Sequence, residues 1–309
     1  MTTPLASRLS FEHPLALDEF PYDPPPWGGL LFRGFSEDGA EVIFQQFADR
    51  VLDAIGRQWL PVYRMADGEF AFLVGPQSLS SGPLRAGLDT ARVAWRRLRG
   101  AHLRTCWNEE YPRRLRKPAI ARLRASLARV AAAGYLAPYL MVRPDGWSKE
   151  FFGPVCGWLD AHDIPLHENN YIPFYSVYAL LSGSMRHDLL RGRRVLVVTH
   201  LTDARRQGID AGLRAEGVAG TEYLGISANA SLFEELDLSG VCSGIDIALV
   251  AAGIGSVNIL DQLKPLGVPC IDCGILIECL IEPQRRWDRP FLIGRDRAAP
   301  DAIRAHRKF

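Results

Sequence analysis

The chain has 309 residues, of which 48% are apolar and 23% are charged, and its formal net charge is +1. This length suffices for one large domain or two modest ones, and the composition is that of a globular protein. The nearly balanced charge excludes a global attraction to nucleic acid, and no apolar run approaches the length of a transmembrane helix. Because residues 1–10 lack a basic segment followed by an apolar one, we expect a cytoplasmic protein without a secretory signal.

The first half of the chain opens with a proline-rich segment, residues 21–29, which cannot form a helix or a central strand. Apolar residues then recur at helical spacing and predict an amphipathic helix over residues 40–56. Residues 59–64 are strand-like, and an acidic turn follows them directly. Further helices are predicted over residues 84–100 and 118–134.

The acidic turn consists of Asp67, Gly68 and Glu69. Its two carboxylates can converge on one point if Gly68 adopts a backbone conformation that other residues resist. Two converging carboxylates suit a hard divalent cation. Arg64, just upstream, adds a cation that can hold phosphate oxygens. The alternative is an exposed turn that happens to carry two acids.

The second half of the chain alternates between strand-like and helix-like segments. Strands are predicted over residues 195–198, 220–226, 245–251 and 268–272, and helices over 203–216, 257–266 and, as a helix start, 274–280. This alternation implies parallel pairing with right-handed crossovers. We therefore predict an α/β fold with a Rossmann-like, mostly parallel sheet and helices on both faces. The predicted division is an N-terminal arm over residues 1–35, one Rossmann-like domain over 36–285 and a C-terminal tail over 286–309.

A glycine-containing turn connects a strand to a helix at Gly253, Gly255 and Ser256. Backbone amides at the start of a helix attract phosphate, so the turn could hold a diphosphate; a tight structural connection is an equal alternative. Asn258 occupies the third glycine position of the dinucleotide fingerprint, and no acid follows at the usual ribose distance. These departures argue against a nicotinamide cofactor.

Two acids near the end of this half are candidates for proton transfer. Asp272 ends a strand, where ligands of such sheets bind. Glu278 has apolar neighbours in the sequence, and burial would raise its pKa and suit a general base. An acid that Arg285 or Arg286 neutralises explains Glu278 equally well.

Cysteines and histidines give weaker signals. Cys270 and Cys273 form a Cys-x-x-Cys, but a single pair is weak evidence for zinc or redox chemistry, and its strand-like context indicates buried thiols. The histidines at 162, 167, 187 and 200 lack metal-ligand spacing and are expected on the surface or in the core. The polar segments 167–171 and 199–203 are expected to line a site at the same edge of the sheet. Neither a nucleophile elbow nor a phosphate loop occurs.

Two parts of the chain resemble the GT-D-type glycosyltransferases, a bacterial family first catalogued as a domain of unknown function. The resemblance rests on Arg64 to Glu69 (Arg-Met-Ala-Asp-Gly-Glu) and on the stretches 248–256 and 268–274, and it spans roughly residues 40–282. It implies a single Rossmann-like domain that transfers a sugar from a nucleotide donor, most simply a UDP-sugar, with Mn²⁺ or Mg²⁺.

The resemblance also assigns roles to individual residues. Asp67 and Glu69 match the family's Asp-x-Glu motif, which supports donor and metal binding, and Asp272 matches the aspartate of its Asp-x-Gly motif. The family usually continues that motif with histidine, whereas this chain has Ile275. The base is therefore left open, with Asp272 and Glu278 as the candidates.

The expected function is that of a metal-dependent glycosyltransferase, of hexosyltransferase type, acting on a glycan, a glycosylated protein or a lipid-linked acceptor. A nucleotide- or sugar-binding protein without transfer activity is the first alternative, and a nicotinamide-dependent oxidoreductase is the second. The sequence leaves the sugar, the acceptor and the stereochemical outcome open. The oligomeric state is also open, and a homo-oligomer is compatible with the sequence.

Overall fold

The structure is a computed structural model, and it describes residues 3–17, 19, 31–74, 87–88, 91, 94–95, 103–104, 110–111, 113–140, 151–228 and 230–282. The strands of this part are β1 (Phe11–Pro14), β2 (Leu31–Gly34), β3 (Leu60–Met65), β4 (Leu103–Arg104), β5 (Glu110–Tyr111), β6 (Tyr135–Pro138), β7 (Arg194–Thr199), β8 (Gly220–Gly225), β9 (Ile247–Ala251) and β10 (Pro269–Asp272).

The α-helices of the described residues are α1 (Leu5–Arg8), α2 (Ala40–Ala54), α3 (Asp67–Val74), α4 (Arg116–Ala133), α5 (Phe152–Ala161), α6 (Ser176–Ser182), α7 (Arg186–Leu190), α8 (Asp203–Ala215), α9 (Ser256–Gln262) and α10 (Glu278–Ile281). Short 3-10 turns occur at Arg113–Leu115, Ser231–Phe233, Gly253–Gly255, Lys264–Leu266 and Gly274–Ile277. The predicted helix over residues 84–100 falls largely outside the described residues.

A six-stranded sheet with the order β6-β3-β10-β9-β7-β8 forms the centre of the molecule. Each neighbouring pair in it is parallel. Every residue of β3 and β10 is buried, as expected where helices cover both faces of a parallel sheet. The predicted α/β class with a Rossmann-like parallel sheet is confirmed.

The strand order reverses at the adjacent parallel strands β7 and β9, since the chain continues from each of them toward opposite edges of the sheet. From β7 the chain passes through α8 to β8 on one side, and from β9 it passes through α9 to β10 on the other. Because such crossovers are right-handed, α8 and α9 lie on opposite faces. A crevice therefore opens at the carboxyl edge, the edge of the sheet at which the strands end, and ligands of such sheets bind there.

The helices form two layers. α9 packs against α4 over β3, and α8 packs against α10. Close approach of α8 and α10 depends on two glycines of α8. A Cβ atom on Gly212 would lie 1.9 Å from the carbonyl oxygen of Leu280, and one on Gly208 would lie 2.7 Å from Ile281. This contact brings the start of α10 next to the first turn of α8.

The N-terminal residues pack against the rest of the chain. β1 and β2 form an antiparallel pair, and Leu5, Leu9 and Leu15 are almost completely buried. The proline-rich segment 21–29 and the tail 286–309 lie outside the described residues. Among the described helices, none has both the length and the apolar composition needed to cross a bilayer.

Candidate functional site

Residues 67–69 belong to a helix rather than to a glycine turn. β3 ends at Met65 and α3 begins two positions later, so Asp67, Gly68 and Glu69 lie in the first turn of this helix. The expected turn with an unusual Gly68 backbone is therefore wrong, because Gly68 lies within the helix. Convergence of the Asp67 and Glu69 carboxylates on one cation stays a prediction. Glu69 is buried, whereas the side chain of Asp67 lies outside the described part of the structure.

Asp272 and Arg64 form a buried pair at the ends of β10 and β3. The Arg64 backbone N–H donates to Oδ2 of Asp272 at 3.3 Å, and the Arg64 Nε–H donates to the Asp272 carbonyl at 2.8 Å. Arg64 Nη2 lies 3.7 Å from Oδ1 of Asp272. Both side chains are less than a tenth exposed. Two residues 208 positions apart are thus fixed to each other at the carboxyl edge.

Aromatic rings complete the surroundings of Arg64. Its guanidinium carbon lies 5.0 Å from the ring centroid of Tyr178 and 5.7 Å from that of Phe174. Cation–π contact with two rings stabilises a charge that burial would otherwise penalise. Sequence reasoning missed Phe174 and Tyr178, which lie far from the motif in the chain. The observed contacts of Arg64 are with the protein, and its contact with phosphate stays a prediction.

The Asp272 carboxylate has several partners besides Arg64. Burial raises the pKa of this carboxyl, and the nearby Arg64 charge opposes the shift. The Ser256 hydroxyl and the Gly274 backbone also hydrogen-bond to the carboxylate. Ser256 itself is fully buried. These contacts fix the carboxylate in one orientation at the end of β10.

The glycine-containing turn after β9 packs against another 3-10 turn. A Cβ atom on Gly255 would lie 2.5 Å from the carbonyl oxygen of Ser231, so glycine is needed for this contact. Asn258 is buried, and its Nδ2 donates to the carbonyl of Leu232 at 2.9 Å. Gly253 has a φ of 53°, which favours glycine. Packing accounts for Gly255 and Asn258, and a diphosphate contact of the turn stays a prediction.

Glu278 begins α10 and pairs with Arg205 in the first turn of α8. Both side chains are mostly buried, at 21% and 16% exposure. The sequence indicated an arginine partner for this acid, but at 285 or 286, which lie outside the described residues. The proximity of α8 and α10 explains why Arg205, which precedes Glu278 by 73 residues, takes that place.

The Cys-x-x-Cys pair is buried, as predicted from its strand-like context. Cys270 and Cys273 donate from Sγ to the carbonyls of Val268 and Val250, at 3.3 Å and 3.1 Å. Burial raises the pKa of Cys273 to about 12 and raises that of Cys270 further. Burial therefore disfavours the thiolate form that redox and metal chemistry require.

The two polar segments expected at one edge lie apart. Residues 199–203 follow β7 at the carboxyl edge, as predicted. Residues 167–171 instead run beside β6, where Leu136 hydrogen-bonds to Asn170 at 2.7 Å and to Ile172 at 3.1 Å. There they line a separate open cavity of about 230 Å³ with Tyr135. The expectation that both segments share a site is wrong, because 167–171 extends the outer side of the sheet.

Comparison with known proteins gives structural neighbours. No protein-family model and no curated protein matches the chain. One similar solved structure is described as a new glycosyltransferase, a domain of unknown function 1792, from Streptococcus sanguinis. It is 14% identical to this chain, the match covers 80% of this chain and 83% of that chain, and the TM-score is 0.42. Another is described as the highly conserved domain of unknown function 1792 with a distinct glycosyltransferase fold, at 15% identity, 79% and 85% coverage and a TM-score of 0.41. These neighbours are of the same kind as the family that the sequence motifs resemble.

Proposed function

We propose that this chain is a metal-dependent glycosyltransferase that uses a nucleotide-sugar donor, with a glycan, a glycosylated protein or a lipid-linked molecule as acceptor. One observation carries the proposal. The three stretches that resemble the GT-D family lie on the consecutive parallel strands β3, β10 and β9 or directly after them, and Val62 of β3 is paired with Ile271 of β10. The Asp-x-Glu residues and Asp272 therefore follow or end neighbouring strands at the carboxyl edge, where a fold of this class binds its ligands.

The residues at the end of β3 suit a hard divalent cation. Asp67 and Glu69 offer carboxylate oxygens, and Mg²⁺ is commonly held by one or two carboxylates together with substrate phosphates. Among the described residues, no group of three or more His, Cys, Asp or Glu side chains could hold a metal. In the proposed site, donor phosphates complete the coordination. When bound, the ion offsets negative charge on the departing nucleoside diphosphate.

The chain's own contribution is to position these groups. Arg64, Ser256 and Gly274 hold Asp272 in one orientation. Gly255 sets the path of the turn after β9 through its contact with Ser231. A site held rigidly by such contacts loses little free energy to reorganisation during reaction. Direct donor contacts of Arg64, Gly68, Gly253, Gly255 and Ser256 remain part of the proposal.

A thermal-shift panel tests the donor. The chain is mixed with UDP-glucose, UDP-galactose, UDP-N-acetylglucosamine or GDP-mannose, each with Mn²⁺, Mg²⁺ or a chelator. A donor at 100 times its Kd should stabilise the fold by about 2.7 kcal/mol. We expect stabilisation by one donor that chelation removes. If no nucleotide sugar stabilises the chain with either metal, the proposal is wrong.

The isosteric variants Asp67→Asn and Glu69→Gln test the metal site. We expect both to lose metal-dependent donor binding and release of the nucleotide while they stay folded. Asp53→Asn, an exposed acid of α2, is the matched control and should behave as the wild type. Full activity in both site variants would refute the assigned role. Donor binding by the wild type without turnover on any acceptor or water would favour the non-catalytic alternative.

A further inference from the structure

His200 lies at the crevice between the ends of β7 and β9, where the strand order reverses. It follows Thr199, the last residue of β7, and Thr199 is paired with Ala251 at the end of β9. One strand further, Asp272 of β10 is paired with Val250. His200 and the end of β10 thus lie on either side of the turn that begins at Ala252. Neighbouring strands are about 4.8 Å apart, so β7 and β10 end roughly 10 Å from each other.

Asp272 and Glu278, the two candidate bases at this edge, already have partners. The Asp272 carboxylate is held by Arg64, Ser256 and Gly274. Glu278 is paired with Arg205. By contrast, the His200 ring has no hydrogen-bond partner within the described residues, and its side chain is partly exposed. Unlike these two acids, His200 can accept a proton without losing a hydrogen bond to another described residue.

The surroundings of His200 favour its neutral form. Burial lowers the pKa of His200, the Arg205 cation lowers it further, and Glu278 opposes both. Arg205 acts from α8 and Glu278 from α10, the two helices that pack together beside the end of β7. A neutral imidazole near pH 7 has a lone pair ready to accept a proton.

We propose that His200 is the general base that deprotonates the acceptor hydroxyl. The inference rests on the proposed glycosyltransferase function and adds its missing proton acceptor. The acceptor oxygen forms a bond to the anomeric carbon of the donor sugar while its proton passes to an imidazole nitrogen of His200. The bond between the anomeric carbon and the diphosphate oxygen breaks, and the nucleoside diphosphate leaves with that electron pair. This single displacement inverts the anomeric centre.

The spacing of the strand ends accommodates this reaction. β3 and β7 are separated by β10 and β9, so their ends are about 14 Å apart. A diphosphate bound through a cation at Asp67 and Glu69 beyond β3 would place the sugar over β10 and β9. The acceptor hydroxyl would then enter from the β7 side, within reach of His200. A cation held by the carboxylates would bind the leaving group, and the histidine would lie on the opposite side of the anomeric carbon.

The test uses the full chain with the metal and the nucleotide sugar that the thermal-shift panel identifies. It measures release of the nucleoside diphosphate with water alone and with a panel of sugar acceptors. His200→Gln should lower kcat by about 100-fold or more, the usual contribution of a general base. It should also remove the acidic limb of the pH profile. Donor binding, measured separately by thermal shift, should be unchanged. Added imidazole should restore part of the activity of His200→Ala.

His187→Gln is the matched control, since His187 lies on α7 before β7 begins and pairs with Glu216. It should keep the wild-type kcat and pH profile. Wild-type kcat and pH profile in His200→Gln, with an active wild type, would overturn the role of His200 while leaving the proposed function standing. Absence of donor binding and turnover in the wild type would overturn both.

Discussion

A Cβ atom on Gly274 would lie 2.0 Å from Nη2 of Arg64. Gly274 also has a φ of 45°, in the left-handed region that favours glycine. The residue after the Asp272-Cys273 strand end thus leaves the space that the buried guanidinium occupies. The glycine of the Asp272-Cys273-Gly274 motif is therefore required for the observed position of Arg64, the first residue of the Arg64 to Glu69 motif.

Gly274→Ala should destabilise the fold, because the methyl group meets Arg64 and the backbone is strained for alanine. We expect a loss of roughly 1–3 kcal/mol in the free energy of unfolding, measured by urea denaturation. Gly157→Ala in α5 is the control, since a Cβ atom there meets nothing within 4 Å. That variant should be neutral or more stable by about 0.5–1 kcal/mol. Equal effects at both positions would contradict the steric account.

Asp272→Asn should be strongly destabilising, since it leaves the buried Arg64 charge without its carboxylate. Removal of one member of a buried ion pair typically costs about 3–5 kcal/mol. Arg64→Gln should cost a similar amount, and the double variant should lose less than the sum. A coupling energy of about 1–3 kcal/mol in this double-mutant cycle is expected. Strict additivity would show that the pair does not interact energetically.

Much of the fold was predictable because its signals are local. β-branched runs predicted β7, and the apolar runs predicted β9 and β10. Alternation with helices was enough to predict a parallel sheet. β6 was missed, since Tyr135 to Pro138 is only four residues long and ends in proline. The helical start at Asp67 was also missed, because Gly68 has low helix propensity and tertiary packing overrides it.

The site was predictable only where motif residues mark strand ends. Asp272 and residues 199–203 were placed at the carboxyl edge from the order of elements. The partners of Arg64 could not be predicted, because its contacts with Tyr178 and Asp272 join residues more than 100 positions apart. The role of His200 within that segment could not be predicted for the same reason. Its charged neighbours Arg205 and Glu278 come together only when α8 packs against α10.

Gly255→Ala separates packing from ligand binding in the turn after β9. Because a Cβ atom would lie 2.5 Å from the Ser231 carbonyl oxygen, we expect a loss of roughly 1–3 kcal/mol in the free energy of unfolding even without donor. Gly240→Ala, where a Cβ atom meets nothing within 4 Å, should leave stability within about 0.5 kcal/mol of the wild type. If Gly255→Ala weakens donor binding but leaves unfolding unchanged, the glycine serves the ligand instead of the fold.

The pH dependence of transfer should respond in opposite directions to the two members of the Arg205–Glu278 pair. Burial and the Arg205 cation lower the pKa of His200, and Glu278 raises it. A base must be unprotonated to act, so kcat/KM falls as the pH drops through its pKa. Arg205→Gln raises that pKa and should move the acidic limb to higher pH. Glu278→Gln lowers it and should move the limb to lower pH.

Arg206→Gln provides the control for these pH profiles. Arg206 is adjacent to Arg205 on α8, but its guanidinium carbon lies 4.8 Å from the ring centroid of Tyr223, so its charge is held elsewhere. Its profile of kcat/KM against pH should match the wild type. Arg205→Gln removes a positive charge and Glu278→Gln removes a negative one. A general loss of stability would not shift the two pH profiles in opposite directions. Shifts of the same sign, or none, would show that the pair does not set the protonation of the catalytic base.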